Sequence, residues 1–282
     1  MIVKELREKY ALNILLKIAG ISKQAYYYAL KNYNYKNDKD FKDFTAILDV
    51  FNKNLQKYGS PRITIDLKNK GINFNHKKVE RLMKKYKLKA RVIKRKYKSY
   101  LGDVGLKAPN ILNRDFKENL PYKKLGTDVT VFITKYGKLY LSPIIDFYTR
   151  EVLAYNISSK PDFRQIVNMF NMLYEKHGDK VKGAILHSDQ GWQYQMKAYQ
   201  NILKSMGMVQ SMSRKGNCLD NSPTENFFGR LKEEIYYGKE DTFKSLKDIK
   251  LKIVKYIDYY NNERIVTRLK NSPVKFRNSC II

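Results

Sequence analysis

Apolar residues recur every three or four positions before about residue 95 and fall into short alternating or continuous runs after about residue 126. That change of period divides the chain. In the first part, Leu12, Leu15, Leu16 and Ala19 form a stripe that stops at Gly20, and Ser22 opens a helix expected to run through Leu30. Phe41, Phe44, Ile47, Leu48 and Phe51 place a helix over 40–56. Ser60-Pro61 offers an N-cap with proline at the first helical position, and Gly71 offers a stop. A further helix over 76–86 turns Val79, Leu82 and Met83 inward and Lys77, Lys78, Arg81, Lys84 and Lys85 outward. Two short helices around a Gly-containing turn, the second one basic, form a helix-turn-helix pattern. A purely structural helical pair is the alternative.

Residues 96–122 mix Gly, Pro, Asn and charge and read as a basic linker between a helical region (1–95) and a second unit (123–282). Strands are expected over 126–134, 138–147 and 151–157, with turns at Tyr136-Gly137 and Tyr148-Thr149-Arg150. A helix over 163–175, a strand over 181–186, a helix over 194–206 and a short strand over 209–212 follow. Helices over 223–235 and 242–260 close the pattern. An antiparallel meander followed by α/β units implies a mixed sheet covered by helices on both faces.

Composition adds a partner. Against 56 Lys+Arg stand 27 Asp+Glu, a formal charge of +29, while 43% hydrophobic residues suffice for a core. A field of that sign attracts polyanions such as nucleic acid, although lysine is also a common means of staying soluble. Residues 1–120 carry 29 basic and 11 acidic residues, and Arg81 to Lys98 carries ten basic residues of eighteen and no acidic one. Lys94, Arg95, Lys96 and Lys98 are therefore expected on phosphate, together with Arg81, Lys84 and Lys85. Two cysteines build no disulfide framework, and three histidines leave no zinc-finger set. No apolar run reaches the roughly 18 residues of a membrane span.

In a chain this basic, carboxylates in apolar surroundings carry the information. Asp128 falls inside the first expected strand, where aspartate is disfavoured. Asp189, in His187-Ser188-Asp189-Gln190-Gly191, follows a strand at the end where open α/β sheets place their ligands. Glu225 lies in the first turn of a helix. Each has a plainer reading. Asp128 can end a strand or pair with linker lysines, Asp189 can start a turn, and Glu225 can complete a capping box with Ser222. Together, three carboxylates from two strands and a helix can hold a pair of Mg²⁺ ions. Two such ions roughly 4 Å apart suit in-line phosphoryl displacement. Lys232 shares a helix face with Glu225, and Ser213-Arg214-Lys215-Gly216-Asn217 reads as a basic loop for phosphate, with a plain turn as the alternative.

Thr127-Asp128-Val129-Thr130, His187-Ser188-Asp189-Gln190-Gly191, Ser213 to Cys218 and the stretch Asp220 to Lys232 resemble DDE transposases. Thirty-five residues lie between Asp189 and Glu225, and a basic residue follows seven after the glutamate. With Tyr259-Tyr260-Asn261-Asn262-Glu263-Arg264 and Ser272-Pro273, the match is to the second-frame proteins of the insertion-sequence-three group, relatives of retroviral integrases. The resemblance implies an RNase H-like core with a mixed five-stranded sheet, after an all-α helix-turn-helix-like region. It implies Mg²⁺ or Mn²⁺, two ions per site, held by the catalytic Asp128, Asp189 and Glu225, with Lys232 near the bound DNA end. It implies strand cleavage and joining at terminal inverted repeats, a target DNA, a homo-oligomer in the synaptic complex, and a bacterial cytoplasmic location, on the nucleoid when DNA-bound. An upstream-frame protein or frameshift fusion is an expected partner, since no counterpart of that segment stands in the sequence. The family's Tyr-Gly-x-Arg-Arg-Ile becomes Tyr58-Gly59-Ser60-Pro61-Arg62-Ile63, one basic residue fewer.

Rival readings remain. A tyrosine recombinase needs an Arg/His phosphate clamp that His76, His177 and His187 do not assemble. A non-catalytic DNA-binding regulator would rest on the basic stripe alone, and an RNase H-type nuclease would cut without joining. Trp192 is read equally as a base-stacking residue or the filler of a surface groove, and His187 as a core or supporting residue.

Overall fold

A computed structural model describes residues 3, 6–7, 10–20, 22–24, 26–27, 40–90, 107–214 and 221–280. Lys94, Arg95, Lys96, Lys98, Lys215 and Cys218 lie outside the described residues, as does part of the helix expected over 22–30. Among the described residues the helical region comprises α1 (Leu12–Ala19), α2 (Phe41–Lys53), α3 (Ser60–Asn69) and α4 (His76–Lys85). Val79, Leu82 and Met83 turn inward as their spacing requires, onto Ile47, Phe51, Ile63 and Leu67. The cap of α3 differs from expectation. Gly59 occupies the N-cap, Ser60 is the first helical residue, and its hydroxyl meets His76 Nε2 at 3.0 Å. Gly71 does follow the helix end, at φ +81°.

The second unit contains strands β1 (Lys124–Thr127), β2 (Thr130–Thr134), β3 (Gly137–Asp146), β4 (Val152–Ser158), β5 (Ile185–Ser188) and β6 (Val209–Met212). Its helices are α5 (Phe163–His177), α6 (Lys197–Ser205), α7 (Ser222–Ile235), α8 (Leu246–Asn262) and α9 (Pro273–Ser279). The first expected strand is split at Asp128-Val129, yet both halves keep one register against β3. Carried across the gap, that register sets Pro143 opposite Asp128. Proline has no N–H to give to the ladder, which accounts for the break. With β1 and β2 as one line, the sheet runs β4, β3, β1/β2, β5, β6, the mixed five-stranded arrangement expected of an RNase H-like core. β1, β5 and β6 are parallel, and the pairs made by β3 are antiparallel.

Helices cover both faces. On one, Ile166, Met169 and Phe170 of α5 and Tyr199 and Leu203 of α6 pack on Leu125, Ile144 and Leu186. On the other, Phe227, Phe228 and Leu231 of α7 and Ile253 and Ile257 of α8 pack on Phe132, Leu141 and Ile145. The later part of the segment read as a linker lies along the core: Ile111 N–H donates to Ser211 Oγ at 3.0 Å, and Met212 N–H to the Pro109 carbonyl at 3.2 Å. No helix among the described residues is long and apolar enough to cross a membrane.

One close approach places α7. A Cβ built on Gly126 would run into the Phe147 ring and come within 2.6 Å of Thr224 Oγ1. Gly126→Ala is therefore expected to cost about 1–3 kcal/mol by overpacking, measured by thermal unfolding. An unchanged melting temperature would show that α7 does not begin against β1.

Candidate active site

The parallel pairing of β1 with β5 decides where the aspartates meet. Lys124, Leu125 and Gly126 stand beside Ile185, Leu186 and His187, each partner 61 residues further along the chain. Carried on by two residues, the same offset sets Asp189 beside Asp128, just where both strands end. Side chains alternate along a strand, so Asp128 shares the face of Gly126, against which Thr224 packs. Glu225 is the next residue. Two strands and the start of one helix thus bring the three carboxylates predicted from the sequence to one edge of the sheet.

Their electrostatics agree. Asp128 is buried, and burial, then the neighbouring charges of Asp189 and Glu225, push its carboxyl well above the usual carboxylate range. Its Oδ1 accepts the Val129 N–H at 2.7 Å. Burial likewise raises Asp189, opposed by the Gly191 N–H that its Oδ1 accepts at 2.9 Å. Glu225 is raised by burial and then by Asp189. The plainer readings fare unequally. Asp189 does nucleate a turn, but Asp128 makes no ion pair among the described residues. The capping box is not formed: Asn221, not Ser222, is the N-cap of α7, and no side chain caps it.

Lys232 is buried two turns beyond Glu225. Burial pushes its ammonium down to about 8, against the pull of Asp128, and its Nζ lies 5.4 Å from the centroid of Phe132. Arg214 is exposed just past β6, whose register with β5 sets Ser213 beside Asp189. Arg81 and Lys85 face Asp40 at the start of α2: the guanidinium donates to both carboxylate oxygens at 2.7 and 2.8 Å, and Lys85 Nζ to Oδ2 at 2.9 Å. These bonds, led by Arg81, hold the Asp40 carboxyl well below its ordinary value. Lys84 is exposed.

Trp192 opens a short turn after Asp189 and is 49% exposed. His187 is a core residue of β5, its Nδ1 2.9 Å from Ser211 Oγ. The pattern of the sequence did not single out Tyr194. It is fully buried in the core under α5 and α6, and its phenol is raised by burial and then by the charges of Asp128 and Asp189. Its only sequence signal is a place five residues after Asp189.

Among the described residues, no group of three or more His, Cys, Asp or Glu side chains is placed so that it could hold a metal ion as it stands. The donor chemistry nonetheless fits a hard divalent cation. Three neighbouring carboxyls with raised pKa values, one of them buried, gain most from a cation that lets them ionise together.

Residues 118–218 and 225–281 each match an integrase core domain, and residues 38–97 match an HTH-like domain. A putative transposase for insertion sequence element IS150 of Escherichia coli K12 is 44% identical over 98% of this chain and 97% of its own length. A transposase-like protein of Haemophilus influenzae is 51% identical over 73% of this chain and 94% of its own. The E. coli transposase InsF for IS3A is 32% identical over 78% and 76%. Among solved structures, the HTLV-2 integrase catalytic core domain in complex with magnesium covers 57% of this chain and 99% of that one, at 16% identity and a TM-score of 0.44. Similarity across nearly the full length of both chains makes this protein a member of the insertion-sequence transposases built on an integrase core domain.

Proposed function

We propose that the chain cleaves and joins DNA strands at the terminal inverted repeats of a bacterial insertion sequence, by metal-dependent in-line phosphoryl transfer. The observation that carries this reading is the parallel register that sets Asp128 beside Asp189 while α7 brings Glu225 to the same face. Asp128, Asp189 and Glu225 would hold two Mg²⁺ ions, with Mn²⁺ as a substitute. When bound, such a pair activates the attacking oxygen and stabilises the leaving one. Lys232 keeps a cation beside Asp128 for the DNA end, and Arg214 and Lys215 meet the backbone at the rim. Paired ends call for at least a dimer during reaction, and an upstream-frame protein or fusion remains part of the proposal. A non-catalytic regulator would bind the same DNA without cutting it, and an RNase H-type nuclease would cut without joining.

The test is a labelled duplex bearing the inverted repeat, incubated with Mg²⁺, with Mn²⁺ or with chelator. Expected are 3′-end cleavage and joined products with either metal and neither with chelator. Cleavage without joining favours the nuclease, and binding without cleavage favours the regulator. A separate expectation concerns the basic stripe. Neutralising Lys94, Arg95, Lys96 and Lys98 should flatten the salt dependence of DNA affinity by up to about four units of log–log slope. An unchanged slope in a binding titration would remove these residues from the phosphate contacts.

A further inference from the structure

Two motifs that the carboxylate site does not use meet each other in the fold. One is Tyr58 to Ile63, at the start of α3; the other is Tyr259 to Arg264, where α8 ends. The first faces inward. Tyr58 and Ile63 are fully buried, and the Arg62 guanidinium lies 5.5 Å from the centroid of the Tyr58 ring. The Tyr58 hydroxyl accepts the Ile265 N–H, and the Tyr259 hydroxyl donates to Asn54 Oδ1 at 2.8 Å. Ile265 completes the apolar core of the helical region, with Ile47, Leu67 and Leu82. The end of the second motif is therefore built into the helix-turn-helix-like unit.

Arg264 reaches the other way. Its Nε donates to both Glu234 oxygens at 3.1 Å and its Nη2 to Oε1 at 2.5 Å, while the Tyr256 hydroxyl donates to Oε2 at 3.1 Å. The pair is almost wholly enclosed, its side chains 3% and 4% exposed. Glu234 stands on α7 nine residues after Glu225, about two and a half turns, and so on the opposite side of the helix. One side of α7 delivers a carboxylate to the site, and the other is gripped by the tail. A buried ion pair adds little net stability, because desolvation offsets its attraction. Its paired bonds do impose a single geometry.

We propose that Arg264 is a positioning residue: through Glu234 it ties the helix-turn-helix-like region to the rear of the catalytic helix, so that DNA held by that region sets the placing of Glu225. This rests on reading Asp128, Asp189 and Glu225 as the metal-binding set. Lys57, whose Nζ donates to the Glu233 carbonyl at 3.4 Å, and the 2.9 Å pair of Lys53 with Glu263 brace the same joint. The chain's single tryptophan, Trp192, lies three residues after Asp189 and reports on the site without turnover.

The experiment uses the full chain, Mn²⁺ and duplex DNA bearing the inverted repeat. Mn²⁺ is titrated by quenching of Trp192 fluorescence with and without DNA, DNA affinity is read by anisotropy, and cleavage is timed at saturating DNA. In the wild type, DNA is expected to tighten Mn²⁺ binding severalfold. The Glu234→Met/Arg264→Met double variant, which removes both charges of the enclosed pair together, should bind DNA within about twofold of wild type. It should lose the DNA effect on Mn²⁺ and cleave about tenfold more slowly at saturation. Tyr58→Phe, which removes only the hydroxyl that accepts the Ile265 N–H, should weaken the coupling in the same direction and remains informative if the double variant does not fold. Retained coupling and saturated rate in the folded double variant, or in Tyr58→Phe where the double variant does not fold, overturns the proposal, as does a wild type without coupling. If the wild type shows coupling but no cleavage, the joint stands and the catalytic reading falls.

Discussion

Asp189→Asn is expected to reduce metal-dependent strand cleavage by on the order of a thousandfold, while leaving the metal-free fold intact. The reasoning separates two roles of one side chain. As a turn residue, Asp189 accepts the Gly191 N–H at 2.9 Å, and an asparagine oxygen can do the same. As a charge beside Asp128 it cannot be replaced, because a neutral amide neither balances nor grips a divalent cation as a carboxylate does. Several kcal/mol of transition-state stabilisation lost with the metal correspond to about a thousandfold in rate. Stability should move the other way. The charge of Asp189 is one of the causes that raise Asp128, after burial itself. Without that charge, Asp128 ionises more readily, and the metal-free variant should melt no lower than wild type near neutral pH. Cleavage assays with Mg²⁺ and Mn²⁺ and melting with chelator check both halves. Wild-type cleavage by the variant would sink the assignment of the three carboxylates.

Arg264→Ala is expected to destabilise the fold by about 3–5 kcal/mol, the usual loss when one partner of a buried ion pair is removed. Glu234 would be left enclosed with the Tyr256 hydroxyl as its remaining hydrogen-bond donor. Arg62 is close enough to act on the same carboxylate by its charge, but donates no hydrogen bond to it. Replacing both partners by methionine should recover most of the loss, since the unpaired charge goes with the pair. Denaturant unfolding of the single and double variants measures the difference. A single variant within about 1 kcal/mol of wild type would mean that water reaches Glu234. The contrast also separates stability from positioning, because the double variant regains the fold without regaining the bonds to α7.

Much of this was legible in the chain because it is local. Val79, Leu82 and Met83 fall on one side of α4 because helical spacing alone puts them there. Asp128 and Asp189 stood out as acids at the edges of apolar strands in a basic protein, and Glu225 as an acid opening a helix. Local rules also misled in places. Ser222 followed by Glu225 is the pattern of a capping box, yet Asn221 takes the cap and Glu225 belongs to the carboxylate cluster. Ser60 suits an N-cap, yet Gly59 takes it. Arg81 and Lys85 do face outward as their spacing requires, and both also bond to Asp40, forty-one and forty-five residues earlier, which no local pattern showed.

By itself, then, the sequence determined most of the elements and the faces they bury, and it singled out three acids as candidates, because these follow from periodicity and residue type over a few turns. Only the tertiary structure decided that Asp128 stands beside Asp189, since a parallel register is set by packing between strands 61 residues apart. The same holds for the joint between Tyr58 and Ile265, 207 residues apart. Their meeting depends on which core each enters, and no local pattern carries that information.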